Sequence, residues 1–287
     1  MQKNALVVND VTKRYRDFVL DQVSFSVPCG TIVGLIGENG AGKSTTINAI
    51  LGLINRDSGN IELLGEADPQ SNDSIRNQIG VVFDGNNYPD VLSARKLNRV
   101  LGNIYSAWDE RKFFSLLEKM SLPTDKKIKE FSKGMKMKLS IAAALSHNSK
   151  LLILDEATSG LDPVVRDDIL DMFLEFVQDE NNSVMVSSHI TSDLEKVADY
   201  IVFIHKGKVV FCKSKDELRY KYGIIRCGAA QFDAVDKDEV IAYRKQDYEW
   251  EILIADREKA QRKYPKAVID PATIDEIMLL YVKGETK

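Results

Sequence analysis

The nine residues from Gly37 to Thr45, GENGAGKST, restrict what this chain can fold into more than any other stretch. They match the pattern G-x-x-x-x-G-K-[ST] at Gly37, Gly42, Lys43 and Ser44, between a β-rich apolar run (Thr31 to Ile36) and a helical run (Ser44 to Ile54). In a strand, loop and helix of this kind the glycines let successive backbone N–H groups turn inward around a phosphate. The helix that follows aims its positive dipole end at the same oxygens. Lys43 then reaches the β- and γ-phosphates and the Ser44 hydroxyl ligates Mg²⁺, while Glu38, Asn39, Gly40, Ala41 and Thr45 complete the cradle. The stretch reads as a nucleoside triphosphate site in an α/β fold.

The rest of the composition permits such a fold and narrows its partners. Of 287 residues, 44% are hydrophobic and 29% charged, which is ordinary for a chain with a proper core. A net charge of -4 leaves no overall basic field to draw in nucleic acid or anionic lipid, so no nucleic-acid partner is expected. The scattered Cys29, Cys212 and Cys227 make no C-x-x-C pair and read as reduced packing thiols. The start, MQKNALVVNDVTKRY, has no signal-peptide apolar region, and no run approaches the roughly 20 apolar residues of a membrane helix. Any contact with a membrane is expected to go through a partner.

Period-2 alternation marks strands at 5–8 and 18–27, and after the Ser44 to Ile54 helix come a Ser58-Gly59 turn and strands at Ile61 to Leu64 and Ile79 to Phe83. From about 84 to 148 the apolar spacing turns helical, in ARKLNRVLGNIY, DERKFFSLLEKM and GMKMKLSIAAALSH, which reads as an inserted helical layer. The parallel-sheet signature resumes with LLILDEA, followed by a helix from Pro163 to Gln178, the strand SVMVSSH, a helix near Ser192 to Ala198 and the hairpin YIVFI/VVFC. The boundaries are placed at 1–222 for one α/β unit and 223–287 for a small α+β appendage. Its expected parts are strands IIRCG, VIAYRK, YEWEILIA and KAVID with helices REKAQRKY and TIDEIMLLYVKG. Residues such as Ile252 and Ile254 need cover on both sheet faces, which makes the appendage a candidate dimerising element.

Asp155 ends an apolar strand, so its carboxylate emerges at the carboxyl edge of a parallel sheet beside the phosphate loop, where a Mg²⁺ ligand belongs. Glu156, next to it, is placed to act as general base toward a water attacking the γ-phosphate. His189, at another strand end, offers a neutral donor and acceptor for sensing that phosphate. Tyr15 is either a plain edge-strand aromatic or a flat face on which a purine stacks.

Taken in order and spacing, GENGAGKS, FSKGM (131–135), LLILDE (151–156), SGLDP (159–163) and SSHI (187–190) resemble the nucleotide-binding subunits of ABC transporters over about residues 4–222. The resemblance implies a P-loop NTPase of ABC type with an antiparallel β subdomain and the helical insertion, to which the C-terminal appendage is added. It implies ATP and Mg²⁺ as cofactors, hydrolysis of ATP, and a homodimer with each ATP held between one subunit's phosphate loop and the other's signature motif. Ser132 and Gly134 would then contact the partner's γ-phosphate, Asp162 would belong to a dimer-contacting loop, His189 to a switch position and Tyr15 to the adenine platform. It further implies attachment to separate membrane subunits on the cytoplasmic side of the cell membrane.

The chain departs from the family in two places. The signature, usually LSGGQ, reads FSKGM with Lys133 and Met135, and Asp84 stands where the family has a glutamine that touches Mg²⁺. A carboxylate is a hard oxygen ligand and suits Mg²⁺ itself. FSKGMKMKL and YSAWDERKF are most similar to bacterial exporters of antimicrobial or amphipathic peptides, bacitracin-type compounds and cytolytic modulins. The competing readings are a soluble ABC-type ATPase acting on nucleic acid or ribosomes, and an ATP sensor that does not hydrolyse. One phosphate loop without a long heptad run argues against the former, and Glu156 against the latter.

Overall fold

The computed structural model describes residues 3–68, 72–85, 87–247 and 249–286. The outermost residues of the two expected domains lie outside the described residues, as does Tyr248 of the expected strand YEWEILIA. Strands β1 (Asn4–Arg14) and β2 (Val19–Pro28) pair antiparallel, and along β2 the buried Leu20, Val23, Phe25 and Val27 alternate with more exposed neighbours. β3 (Ile32–Ile36) is buried at every residue, as a central parallel strand must be. α1 (Lys43–Ile50) follows, then β4 (Ser58–Leu63), β5 (Glu66–Ala67), α2 (Asp73–Arg76) and β6 (Ile79–Val82). Helix α1 stops four residues before the sequence pattern does, because Leu51 caps it and Gly52 turns left-handed at φ 68°. Ser58 and Gly59, expected as a turn, are instead the first residues of β4. A side-chain carbon on Gly59 would stand 2.4 Å from the Asp10 carbonyl oxygen, so the close passage of β1 is what needs the glycine.

The helical layer consists of α3 (Ala94–Ile104), α4 (Glu110–Lys119) and α5 (Lys133–Leu145). Each begins on a side-chain cap, with Ser93, Asp109 and Ser132 accepting from the N–H groups of Lys96, Lys112 and Met135. Leu97, Leu101, Phe113, Leu117 and Ile128 form its core, and the fully buried Phe113 ring alone contributes roughly 2–3 kcal/mol. Helix α5 serves two cores at once: Leu139, Ala142 and Ala143 face the layer, while Met137, Ile141 and Leu145 pack with the main sheet. Just beyond it, buried His147 stacks on Tyr105 with ring centroids 4.0 Å apart and sets Nδ1 3.0 Å from the Asn77 carbonyl oxygen. Burial pushes the His147 pKa below the ordinary imidazole value.

The chain then returns to the sheet through β7 (Leu151–Asp155), α6 (Pro163–Phe176), β8 (Ser183–Ser188), α7 (Thr191–Val197), β9 (Tyr200–His205) and β10 (Lys208–Ser214). The six-stranded sheet runs β10-β9-β3-β8-β7-β6, parallel except for the edge hairpin partner β10. A four-stranded antiparallel sheet, β2-β1-β4-β5, lies beside it. Helix α6 has Asp162 as its cap and Pro163 in its first turn, where a missing N–H costs nothing.

After α8 (Lys215–Lys221), which periodicity did not reveal, come β11 (Gly223–Cys227), α9 (Ala229–Asp233), β12 (Val240–Lys245), β13 (Trp250–Ile254), α10 (Arg257–Lys263), β14 (Val268–Pro271), α11 (Ile274–Lys283) and β15 (Glu285–Thr286). They build a five-stranded antiparallel sheet in the order β14-β11-β13-β12-β15. Both of its faces are covered from within the chain. Ile225, Ile252 and Ile254 pack with Val235, Ala260 and Ile269, while Ile224, Ala242 and Leu253 join the main core together with Ile277 and Leu280. The expected need for a second copy to cover Ile252 and Ile254 therefore does not arise, since both are at most 2% exposed. Tyr281 closes the seam against Phe203 and Phe211, with ring centroids 5.8 and 6.1 Å away. Of the three cysteines, Cys227 is buried and Cys29 half-buried, but Cys212 is exposed and is not the packing thiol expected.

Candidate functional site

Four strand ends meet at one edge of the six-stranded sheet. β3 runs into the phosphate loop, β8 into His189, β7 into Asp155 and Glu156, and β6 toward Asp84. The carboxyl edge of a parallel sheet is where such folds leave a ligand crevice. A cavity of about 700 Å³ opens there, lined by Asn39, Gly40, Gly42, Lys43, Ser44 and Thr45 of the loop and by Asp84, Glu156 and His189 facing them. Gly42 precedes α1 at φ +115°, and a side-chain carbon on it would stand 3.1 Å from both Leu20 and Phe18. At Gly37 the same carbon would stand 2.4 Å from the Ile204 carbonyl oxygen. Ala41 is buried, with its N–H donating to the Glu38 carbonyl and its own carbonyl accepting from Gly207.

The charged groups are tied together across the cavity. Lys43, only 6% exposed, donates to the Gly37 carbonyl at 2.8 Å and the Glu38 carbonyl at 3.3 Å, and its Nζ lies 3.3 Å from Glu156 Oε1. The other carboxylate oxygen, Glu156 Oε2, is 2.6 Å from His189 Nδ1. Glu156 is held in the left-handed region at φ 53°. Its N–H donates to the Ser187 hydroxyl at 3.1 Å and the Ser187 carbonyl at 3.2 Å, and that hydroxyl in turn donates to Asp155 Oδ1 at 2.5 Å. Ser187 thus fixes both acids at once.

Other residues named from the sequence lie elsewhere. Tyr15 sits in the turn between β1 and β2, half exposed, its ring 6.5 Å from that of Phe18; it is Phe18, with Asp17, that lines the cavity. Ser132 caps α5, Gly134 packs so closely on α6 that a side-chain carbon would stand 3.1 Å from Val165, and Asp162 caps α6. None of these three lines the cavity of its own chain. Ser159, within SGLDP, does. From the sequence Phe18 was legible only as the start of an expected strand and Ser159 only as the first letter of SGLDP, and Asp17 carried no signal.

Ser44, Asp84 and Asp155 fit Mg²⁺ in donor chemistry, all three offering hard oxygens. Ser44 and Asp84 face the cavity, while Asp155 stands behind it with Oδ1 on Ser187. Among the described residues no group of three or more His, Cys, Asp or Glu is placed to hold a metal by itself.

A model of the family described as "ABC transporter" matches residues 20–159. The bacitracin transport ATP-binding protein BcrA of Bacillus licheniformis is 36% identical over 204 residues, 70% of this chain and 67% of that protein. The lantibiotic transport ATP-binding protein SrtF of Streptococcus pyogenes is 36% identical over 214 residues, 74% of this chain and 91% of that protein. The chain belongs to the ABC transporter ATP-binding subunits. Among solved structures, one described as the ATP-binding subunit of an ABC transporter superposes on this family member with a TM-score of 0.69 at 30% identity, covering 75% of this chain and 92% of that one. As an ABC subunit the chain binds ATP, pairs with a second ATP-binding subunit and works with a membrane-domain partner. Among the described residues no helix is long and apolar enough to cross a membrane. The alternative of an ABC-type ATPase acting on nucleic acid is not favoured, since the relatives named above are transport subunits.

Proposed function

We propose that the chain hydrolyses ATP, as a homodimer on the cytoplasmic face of the cell membrane, and so powers export of a peptide or amphipathic compound through separate membrane subunits. The observation that carries this reading is the Lys43–Glu156–His189 chain of contacts at the mouth of the phosphate loop. Glu156 is the only one of the two adjacent acids that faces the cavity among the described residues, and a carboxylate there accepts a proton from an attacking water. His189, hydrogen-bonded to it, keeps the carboxylate aimed. Lys43 and the loop N–H groups take the phosphate charge. Mg²⁺, held by Ser44 and Asp84 of the cavity lining, would neutralise phosphate charge when bound, with Asp155 adding negative charge from behind the cavity.

Ser132, Gly134 and Asp162 have no place in the cavity of their own chain, which supports the reading that a second copy presents them. The cargo class is drawn from the bacitracin and lantibiotic transport roles named for BcrA and SrtF. Residues 1–222 would form the ATPase unit, with the helical layer at 84–148, and 223–287 the appendage. For the membrane subunit, a separate and more apolar groove of about 480 Å³ between α1, β6 and α3 offers a docking surface, with Leu53 and Ile104 more than 60% exposed at its rim.

Glu156→Gln tests the proposal, because it keeps shape and hydrogen-bonding reach but removes the base. Hydrolysis should fall by about 10²-fold or more, while ATP binding persists. Unhydrolysed ATP then favours the closed pair by mass action, so gel filtration with ATP should show a stable dimer. Ser132→Arg in the same background should dissociate it. A Glu156→Gln chain that hydrolyses at the wild-type rate, or stays monomeric at saturating ATP, overturns the assignment.

A further inference from the structure

Two of the three residues by which this chain departs from its family's pattern, Asp84 and Lys133, touch one another. Asp84 Oδ1 lies 3.1 Å from Lys133 Nζ, although 48 positions of helical layer separate them in sequence and each is about half exposed. Asp84 follows β6 and lines the nucleotide cavity; Lys133 opens α5 immediately after its Ser132 cap. A third residue shapes the contact. Gly160, left-handed at φ +67°, lies under the lysine, and a side-chain carbon there would stand 3.1 Å from Lys133 Nζ. The lysine therefore lies in a space that the glycine leaves open.

The charge around the cavity explains what such a pair does. Its lining carries the acids Asp17, Asp84 and Glu156 against the single lysine Lys43. Lys43 is already engaged with Glu156, so Asp17 and Asp84 remain as anionic charge facing a polyanionic ligand. Asp84 is the one that follows a strand of the central sheet, close to where the loop and Glu156 face each other. We propose that Lys133 is the counterion of the nucleotide cavity: by pairing with Asp84 it cancels a repulsion that would otherwise weaken binding of the triphosphate. Lys133 is thus a positioning residue that acts through Asp84 and need not touch the nucleotide. The inference rests on the reading of this cavity as the ATP site.

A double-mutant cycle on the full chain tests it, with ATP affinity measured by calorimetry in EDTA so that metal ligation by Asp84 plays no part. Lys133→Met should weaken ATP binding about two- to fivefold, the scale of an exposed charge pair in water. The same Lys133→Met change made in an Asp84→Asn background should alter affinity less than twofold. The difference between the two should shrink in high salt, since both groups are open to solvent. If Lys133→Met weakens binding equally in both backgrounds, the lysine acts on the phosphates directly and the counterion role is wrong. If it has no effect in either, the pair is a surface contact without consequence and the proposal again falls. Lys43→Ala serves as the control that separates this from the underlying reading. Loss of binding in Lys43→Ala with an additive cycle removes only the counterion role, whereas ATP binding that survives Lys43→Ala removes the assignment of the cavity.

Discussion

Lys43 is held by two loop carbonyls at 2.8 and 3.3 Å and by Glu156 at 3.3 Å. Phosphate binding at Lys43 is then an exchange of one set of oxygens for another. The exchange is favourable because a triphosphate brings more negative charge than one carboxylate and because the loop N–H groups converge on the same place. Lys43→Ala removes the cation from this exchange, and hydrogen bonds to charged groups are worth about 1.5–3 kcal/mol each. ATP affinity measured by calorimetry should drop by roughly 10²-fold, the lower part of two such bonds combined. Affinity that is unchanged would remove the phosphate-loop assignment. The residues of this site were legible in different degrees. Lys43, Ser44, Asp155, Glu156 and His189 stand at strand ends or in a loop whose glycines have backbone reasons to be there, so letter and position agree. Phe18 reads from the sequence only as the start of a strand and Asp17 as the residue before it, and only the folded chain brings them to the cavity.

At the scale of elements, the segment that carries His189 is not held by the main sheet alone. Helix α7 starts two residues after that histidine, and its first residue, Thr191, donates to Asp275 at the start of α11 at 2.5 Å. The Ile274 N–H of α11 donates to Glu195 of α7 at 2.9 Å. The appendage thus grips α7 by its polar groups while Ile274 and Ile277 pack with Leu194 and Val197 in the core. Asp275→Ala should loosen the start of α7 and lower the ATPase rate two- to tenfold with ATP affinity unchanged, the range in which a hydrogen bond of about 0.5–1.5 kcal/mol acts. Asp275→Asn keeps an acceptor for Thr191 and should restore the rate. Equal rates in all three chains would mean that the grip does not reach His189. None of this could be read from the sequence, because Thr191 and Asp275 are ordinary helix-start residues in TSDLEKV and TIDEIMLLYVKG. Strand and helix positions themselves were mostly legible from periodicity. Among the exceptions, β4 beginning at Ser58 and the early end of α1 occur where tertiary contact or a single glycine outweighs a local pattern, whereas α2, α8 and α9, of four, seven and five residues, are too short for periodicity to reveal.

Across the whole molecule, the change of texture near Tyr222 suggested a seam, and the five-stranded sheet does begin at Gly223. What the sequence did not show is that the hydrophobic core runs straight through it, from Ile201 and Phe203 by way of Leu218 and Tyr222 to Ile224, Leu253 and Leu280. Composition distinguishes stretches of chain, whereas a core is defined by what touches, and here the two divide the molecule differently. The peptide bond between Tyr222 and Gly223 is therefore not what keeps the two parts together. Produced in one cell as separate polypeptides, residues 1–222 and 223–287 should find each other and elute as a single species that binds ATP, with buried side chains such as Leu253, Ile277 and Leu280 each adding roughly 1.5–3 kcal/mol to the association. Two separate peaks on gel filtration would show that the seam is a true boundary. If the fragments do associate, heat should melt the intact chain in one step, and the small sheet should lose its structure at the same temperature as the phosphate loop, 180 or so positions away in sequence.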